Sequence, residues 1–309
     1  MLSQSRFSRF IPTLFPAIFL LSSSVLAPGA FAWGNGGHRL VNKLAASSLP
    51  ASVPGFLRSK AAVEEIEYLG PEPDRWRSPA EAELNAVQSP EHYIDLELAD
   101  PFAPLPRRRF DFEAKAFAAG QRPEKIGLQP WEVDEVWERL KAALREYRDL
   151  QATAKDTHGV EAAAIFYAGW LGHYVGDGAQ PLHTTIQYNG WVGPNPNGYT
   201  TGHQIHWKFE GPFVDANLKE AEVKPKMTAP QLIEGDIFEK YIAYLRDSKT
   251  HVEQVYQLEK DGGFDGAGTP ESRDFTADRL AAGASMLRDL IYTAWVDSGE
   301  PVVDPYAGK

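Results

Sequence analysis

The segment Val160 to His183 constrains this chain most. Residues Val160 to Val175 are apolar on every side, which predicts a central buried helix rather than an amphipathic surface one. Its C-terminal end reads H-Y-V-G-D-G-A-Q-P-L-H, from His173 to His183. His173 and Asp177 are spaced i, i+4, so both side chains share one helix face. A Pro181 turn then delivers His183. Two hydrogen-bonded buried polar groups would satisfy this pattern, and so would a metal held by one helix face and the following turn. Either way the helix needs polar partners from elsewhere in the chain.

The other elements are helical as well. His38–Ser48 is amphipathic and is entered through the Gly34–Gly37 segment. Pro54 lies near the start of a second helix, about Ala51 to Ile66. Pro130-Trp131 opens a clear helix, Glu132 to Asp149, whose Val133, Val136, Trp137, Leu140, Ala143 and Leu144 follow the i, i+3, i+4, i+7 rule. Further helices are expected at about Ala229–Lys249 and Thr276–Asp297. Residues Asp100 to Gln129, with four prolines, read as mostly loop, and Gly190 to Gly202 as a loop over an active site. Alternating strand patterns are scarce. The fold class is all-α, one multi-helix domain over residues 33–309.

Residues 1–32 read as a secretory leader. Arg6 and Arg9 supply the positive region, an apolar run reaches Leu26, and Ala30-Phe31-Ala32 is an A-x-A cleavage site. Cleavage there makes Trp33 the first residue and frees an α-amine that, with its carbonyl and His38, can chelate a metal. No later apolar run reaches the ~18–20 residues needed to span a bilayer. A secreted or periplasmic protein without a membrane anchor, and a monomer, is expected. With no cysteine, thiolate catalysis and disulfides are excluded, and a metal must use His, carboxylate or backbone ligands. A net charge of -11 disfavours passive nucleic-acid binding, although bound divalent ions would reverse that locally.

Further His/acid pairs point the same way. His206 and Glu210 are again i, i+4, with His203 a rival whose own i+4 partner, Trp207, cannot ligate. Asp74, with Arg77 three residues on, and His92 in E-H-Y-I-D complete the set.

In order along the chain these motifs are W-G-x-x-G-H, D-x-x-R, H-Y-x-D, the His173–His183 segment and H-x-x-x-E. They resemble the zinc-dependent phospholipase C and single-strand-specific nuclease group, the latter typified by nuclease P-one and mung bean nuclease. That resemblance implies an all-helical fold around three Zn2+ ions. The first would be held by Asp74, His92, His173 and Asp177. The second would be held by His183, His206 and Glu210. The third would take Trp33, His38 and the other oxygen of Asp177. It implies hydrolysis of phosphate esters by zinc-activated hydroxide, with Asp74 and Arg77 as catalytic residues. Arg77 would bind phosphate oxygens. The short Trp33–His38 spacer and H-Y-I-D look nuclease-like: Tyr93 would stack on a base of single-stranded RNA or DNA and Asp95 would bond its edge. Glu210 instead looks like the phospholipases. The family's Gly-Gly-Asn element is replaced by Tyr188–Gly193, where Asn189 is the candidate substitute. A phospholipase C cleaving phospholipid headgroups is therefore the alternative, and a non-enzymatic zinc-stabilised binding protein a third. Arg107–Arg109 could meet an anion, although such runs are more often solvated loop.

Overall fold

A computed structural model describes residues 33–302; the leader expected in residues 1–32 lies outside them. The described residues are all-α: helices account for every regular element, with a single isolated bridge between Tyr188 and Gly190. In chain order the helices that matter here are α1 (Gly34–Ser47), α2 (Lys60–Leu69), α3 (Glu72–Trp76), α4 (Ala82–Gln88), α5 (Arg109–Ala118), α6 (Gln129–Ala152), α7 (His158–Ala179), α8 (Ile237–Lys249), α9 (Val252–Lys260) and α10 (Pro270–Asp297).

The apolar helix foreseen at 160–175 forms most of α7, although Ala162 and Phe166 in its first half are exposed rather than buried. It packs against α6, α10, α2 and α1, and every residue from Leu171 to Ala179 is buried. The predicted apolar stripe of α6 is buried too, from Val133 to Leu144. Helix ends differ from the periodicity where caps decide. The expected helix 51–66 is broken at Ser59, whose hydroxyl accepts from Ala62 N at 3.1 Å and starts α2 afresh.

Residues 229–236 are not helical, contrary to expectation. They form an extended strap along α10, with Thr228 N donating to Ser285 Oγ, Gln231 N to Asp289 Oδ1 and Ile233 N to Thr293 Oγ1, at 3.1, 3.2 and 3.0 Å. These acceptors recur every fourth residue of α10, so the strap is held like a rung ladder. Asp236 then caps α8 by accepting from Glu239 N. The expected loop 100–129 is also corrected. In the proline-free stretch between Pro106 and Pro123, Phe112 and Ala116 bury an i, i+4 face and α5 forms.

Glycine lets α1 and α7 approach closely. A Cβ at Gly172 would lie 2.0 Å from Asn42 Oδ1 and 2.7 Å from Leu287 Cδ2. Asn42 is committed there, its Nδ2 donating to Ile66 O and Gly169 O. Gly172→Ala therefore overpacks a buried crossing. It is expected to cost about 2–3 kcal/mol, read as a melting temperature lower by roughly 5–10 °C. An unchanged thermal transition would show that the crossing is slack.

Candidate metal centre

The close crossing sets α1 against the chemistry-bearing end of α7. Trp33, fully buried, donates its indole N–H to Gly176 O at 2.6 Å and meets Phe209 edge-on. Its carbonyl accepts from Gly37 N, so His38 stands just over one turn along α1. The His38 ring stacks on that of His173, centroids 3.9 Å apart. Gly176 provides the room: a Cβ there would come within 3.2 Å of His38 Nδ1.

Three buried groups of side chains converge: His38, His173 and Asp177; Asp74, His92 and His173; His183, His206 and Glu210. Asp177 joins the first two. Its Oδ1 lies 3.4 Å from His38 Nε2, while its Oδ2 lies 3.1 Å from His92 Nδ1 and 3.5 Å from His173 Nε2. Asp74 Oδ1 is 4.0 Å from His92 Nδ1 and 3.9 Å from His173 Nε2, and those two nitrogens are 2.9 Å apart. Tetrahedral zinc with bonds near 2 Å sets its ligand atoms about 3.3 Å apart. The observed spacings straddle that value, so these four side chains fit such an ion. In the third group Glu210 Oε1 lies 3.1 Å from His183 Nε2 and 2.6 Å from His206 Nε2. Pro212, which has no N–H to donate, sits in a widened turn, Phe209–Phe213, that carries Glu210.

Local hydrogen bonds aim the rings. His173 Nδ1 donates to Gly70 O at 2.8 Å, His183 Nδ1 to His92 O at 2.6 Å and His206 Nδ1 to Tyr188 O at 2.9 Å. Each bond fixes a tautomer and turns Nε2 toward its cluster, the usual outer arrangement of metal-binding imidazoles. His203 instead bonds Asn189 O and is exposed. Two glutamines that the sequence pattern did not single out serve the same end. Gln180 donates to Glu210 Oε1 and accepts from Leu182 N. Gln129 donates to His92 O and Tyr174 O. Gln180 sits inside the His173–His183 segment, whereas Gln129 had no signal.

The electrostatics call for a cation. Burial raises Asp74 to about 7 despite His38 and Arg77, and it raises Asp177 well above the carboxylate range. Burial also pushes His92 and His173 well below the imidazole range. Burial acts on Glu210 in the same upward sense, but His206 and His183 outweigh it and hold it at about 2. Asp74 Oδ2, Asp177 Oδ1 and Glu210 Oε2 are buried without a hydrogen-bond partner among the described residues. Orphaned carboxylate oxygens are costly, and a divalent ion among them would supply the missing partner and reverse these shifts.

Beside the clusters opens a cavity of about 320 Å3, lined by Arg77, His92, Tyr93, Asp95, Tyr188 and His206 among others. Arg77 Nη1 is 3.3 Å from Asp74 Oδ1. Tyr93 donates to Glu124 O at 2.8 Å. Burial, with Glu97 adding, raises Asp95 to about 7. Tyr188, about half exposed, is a second ring on this cavity that the motifs did not assign. Asn189 serves otherwise: its amide donates to His203 O and accepts from His206 N, which ties the loop to His206. The arginine run is occupied as well. Arg109 pairs with Glu91, Glu113 and Glu132, and Arg107 with Asp134 and Asp236.

Residues 33–217 match the family described as S1/P1 Nuclease. No curated protein matches the chain in sequence. Two solved structures resemble it loosely. One is the alpha toxin of Clostridium absonum, with 12% identity and a TM-score of 0.39, over 87% of this chain and 67% of that one. The other is the alpha-toxin of Clostridium perfringens from an avian strain, with 13% identity and a TM-score of 0.37, over 86% and 65%. The chain thus spans about two thirds of their length.

Proposed function

Because the match to residues 33–217 covers more than half of the 309 residues, the chain belongs to the S1/P1 nuclease family, and we propose that it is an exported zinc-dependent nuclease of single-stranded RNA and DNA. In this reading residues 33–309 form one domain and act as a monomer after removal of the leader. The observation that carries it is one cavity whose walls bring His92, His183 and His206 together with the rings of Tyr93 and Tyr188. Stacking on such rings requires unpaired bases and contributes about 1–3 kcal/mol per base.

Asp74, His92, His173 and Asp177 would hold one zinc, His183, His206 and Glu210 a second, and Trp33, His38 and Asp177 a third. Bound zinc would supply a water of lowered pKa and neutralise charge on phosphate. Asp74 orients the attacking water. Arg77, held at the rim by Asp74, offers its planar fork to phosphate oxygens as charge builds on them. Tyr93 stacks on the base and Asp95 bonds its edge. Glu210, where the nucleases carry Asp, favours the second reading, a phospholipase C.

The test is turnover by the protein beginning at Trp33, with zinc, on single-stranded RNA, single-stranded DNA and phosphatidylcholine, each with and without chelator. Chelator-sensitive cleavage of the nucleic acids is the expected result. Cleavage of the lipid alone would install the second reading, and zinc binding without turnover a binding role.

A further inference from the structure

Arg77 has a second open side. It and Asp74 also line another cavity, of about 530 Å3, whose other walls include Asn35, Arg39, Arg75 and Ser78. Arg77 is thus shared by the tyrosine-lined cavity and an arginine-lined groove, and Asp74 lines the groove. Both further arginines follow a cluster residue by one position: Arg39 follows His38 on α1, and Arg75 follows Asp74 on α3. Successive helix positions diverge by about 100°, so the first of each pair turns inward and the second toward the groove. The two guanidinium groups are held over one ring, Arg39 at 5.3 Å and Arg75 at 4.6 Å from the centroid of Tyr68. That stacking preorganises both forks.

We propose that the groove of Arg39 and Arg75 binds the phosphate next to the scissile one, on the side away from the tyrosines, and so reads substrate chain length. This rests on the nuclease reading above. Beside the ring of Pro79 and the carboxylate of Asp74, the groove presents guanidinium, amide and hydroxyl groups, which suit a continuing phosphodiester backbone. A phospholipid with a single phosphate would leave such a site unused. Glu72 pairs with Arg75, but the pair is partly exposed, and such pairs contribute only about 0–1 kcal/mol, so a strand phosphate displaces it. In a chain of net charge -11, a polyanion needs such a local cationic path.

The test compares kcat/KM on a single-stranded hexanucleotide with that on a dinucleoside monophosphate, whose only phosphate is the scissile one. Wild type should favour the hexamer. Arg39→Ala should lower that preference about tenfold and Arg39→Ala/Arg75→Ala further. The salt dependence for the hexamer should become shallower by about 0.7 in the log–log slope for each phosphate that is no longer neutralised. Tyr68→Phe, which keeps the ring face, should retain the preference, and Tyr68→Ala should weaken it. Equal losses on both substrates, or an unchanged ratio, would overturn the groove while leaving the nuclease reading intact. Wild-type protein that cleaves neither substrate overturns both.

Discussion

Asp177→Asn is expected to abolish turnover to within background, a loss of about three to four orders of magnitude in kcat/KM. The position is singular because its two oxygens face different groups. Oδ1 faces His38, and Oδ2 faces His92 and His173. An amide keeps the shape but presents one oxygen and one NH2, so whichever way it turns, one side meets a donor instead of an anion. Two proposed ions are weakened at once. Several kcal/mol of charge stabilisation is what such ions supply, and each 1.36 kcal/mol is tenfold. Glu210→Gln disturbs only the His183–His206 group and should lose less. Zinc per chain, read by elemental analysis, separates the mechanisms: Asp177→Asn should lose more zinc than Glu210→Gln while both remain folded by circular dichroism. Asp177→Asn with full zinc and full kcat/KM would remove Asp177 from the proposed site.

The fold was legible where burial follows period. α6 carries an apolar stripe and α7 a continuous apolar run, and that stripe and α7 from Leu171 onward are buried as expected. It was not legible where one hydroxyl or carboxylate decides. Residues 229–236 have helix-compatible composition, yet they run extended because Ser285, Asp289 and Thr293 offer acceptors in register, and Asp236 caps α8 only afterward. α5 was hidden by the prolines that flank it, Pro101, Pro104 and Pro106 before and Pro123 after, and by an arginine run that turned out to neutralise buried Glu91 and Glu132.

The candidate site was legible in its i, i+4 pairs, because one helix face is a local property. What local spacing cannot show is which loop atom meets them. His203 and His206 are three residues apart in one turn, and only His206 points Nε2 at Glu210, because Tyr188 O takes its other nitrogen. Gln129, 37 residues from His92, reaches it because the start of α6 is bonded to the 89–93 segment, Leu128 N donating to Pro90 O and Gln129 N to Tyr93 O. Asn189 was expected at the substrate, but its amide is spent on His203 and His206.

Zinc should stabilise the protein more at pH 8 than at pH 6.5. Below about 6.5 two opposed effects overlap, since His92 and His173 resist protonation in the fold while Asp74 and Asp177 resist ionisation. Above it the folded histidines stay neutral and those of the unfolded chain lose most of their remaining charge by about pH 7.5, so the carboxyls dominate toward pH 8. A carboxyl whose folded pKa is raised binds its proton more tightly in the fold, so the metal-free protein loses stability as pH rises through that value. A group still protonated at pH 8 costs about 2 kcal/mol across this window. Asp74, at about 7, and Asp177, higher, both contribute. So do Asp95, at about 7, and Glu132, at about 8, which are raised by burial. Zinc must displace the protons of Asp74 and Asp177 to bind, so its apparent affinity rises over the same window. An ion present at about 1,000 times its Kd adds about 4 kcal/mol per site, or roughly 10 °C in melting temperature. Asp95 and Glu132 lie outside the proposed ligand set and lower both curves alike, so the gap between zinc-loaded and chelated protein isolates the cluster. Thermal unfolding at pH 6.5, 7.2 and 8.0, with and without chelator, should show that gap widening. A gap that is constant or narrows with pH would mean that zinc, if bound, is not held by these carboxylates.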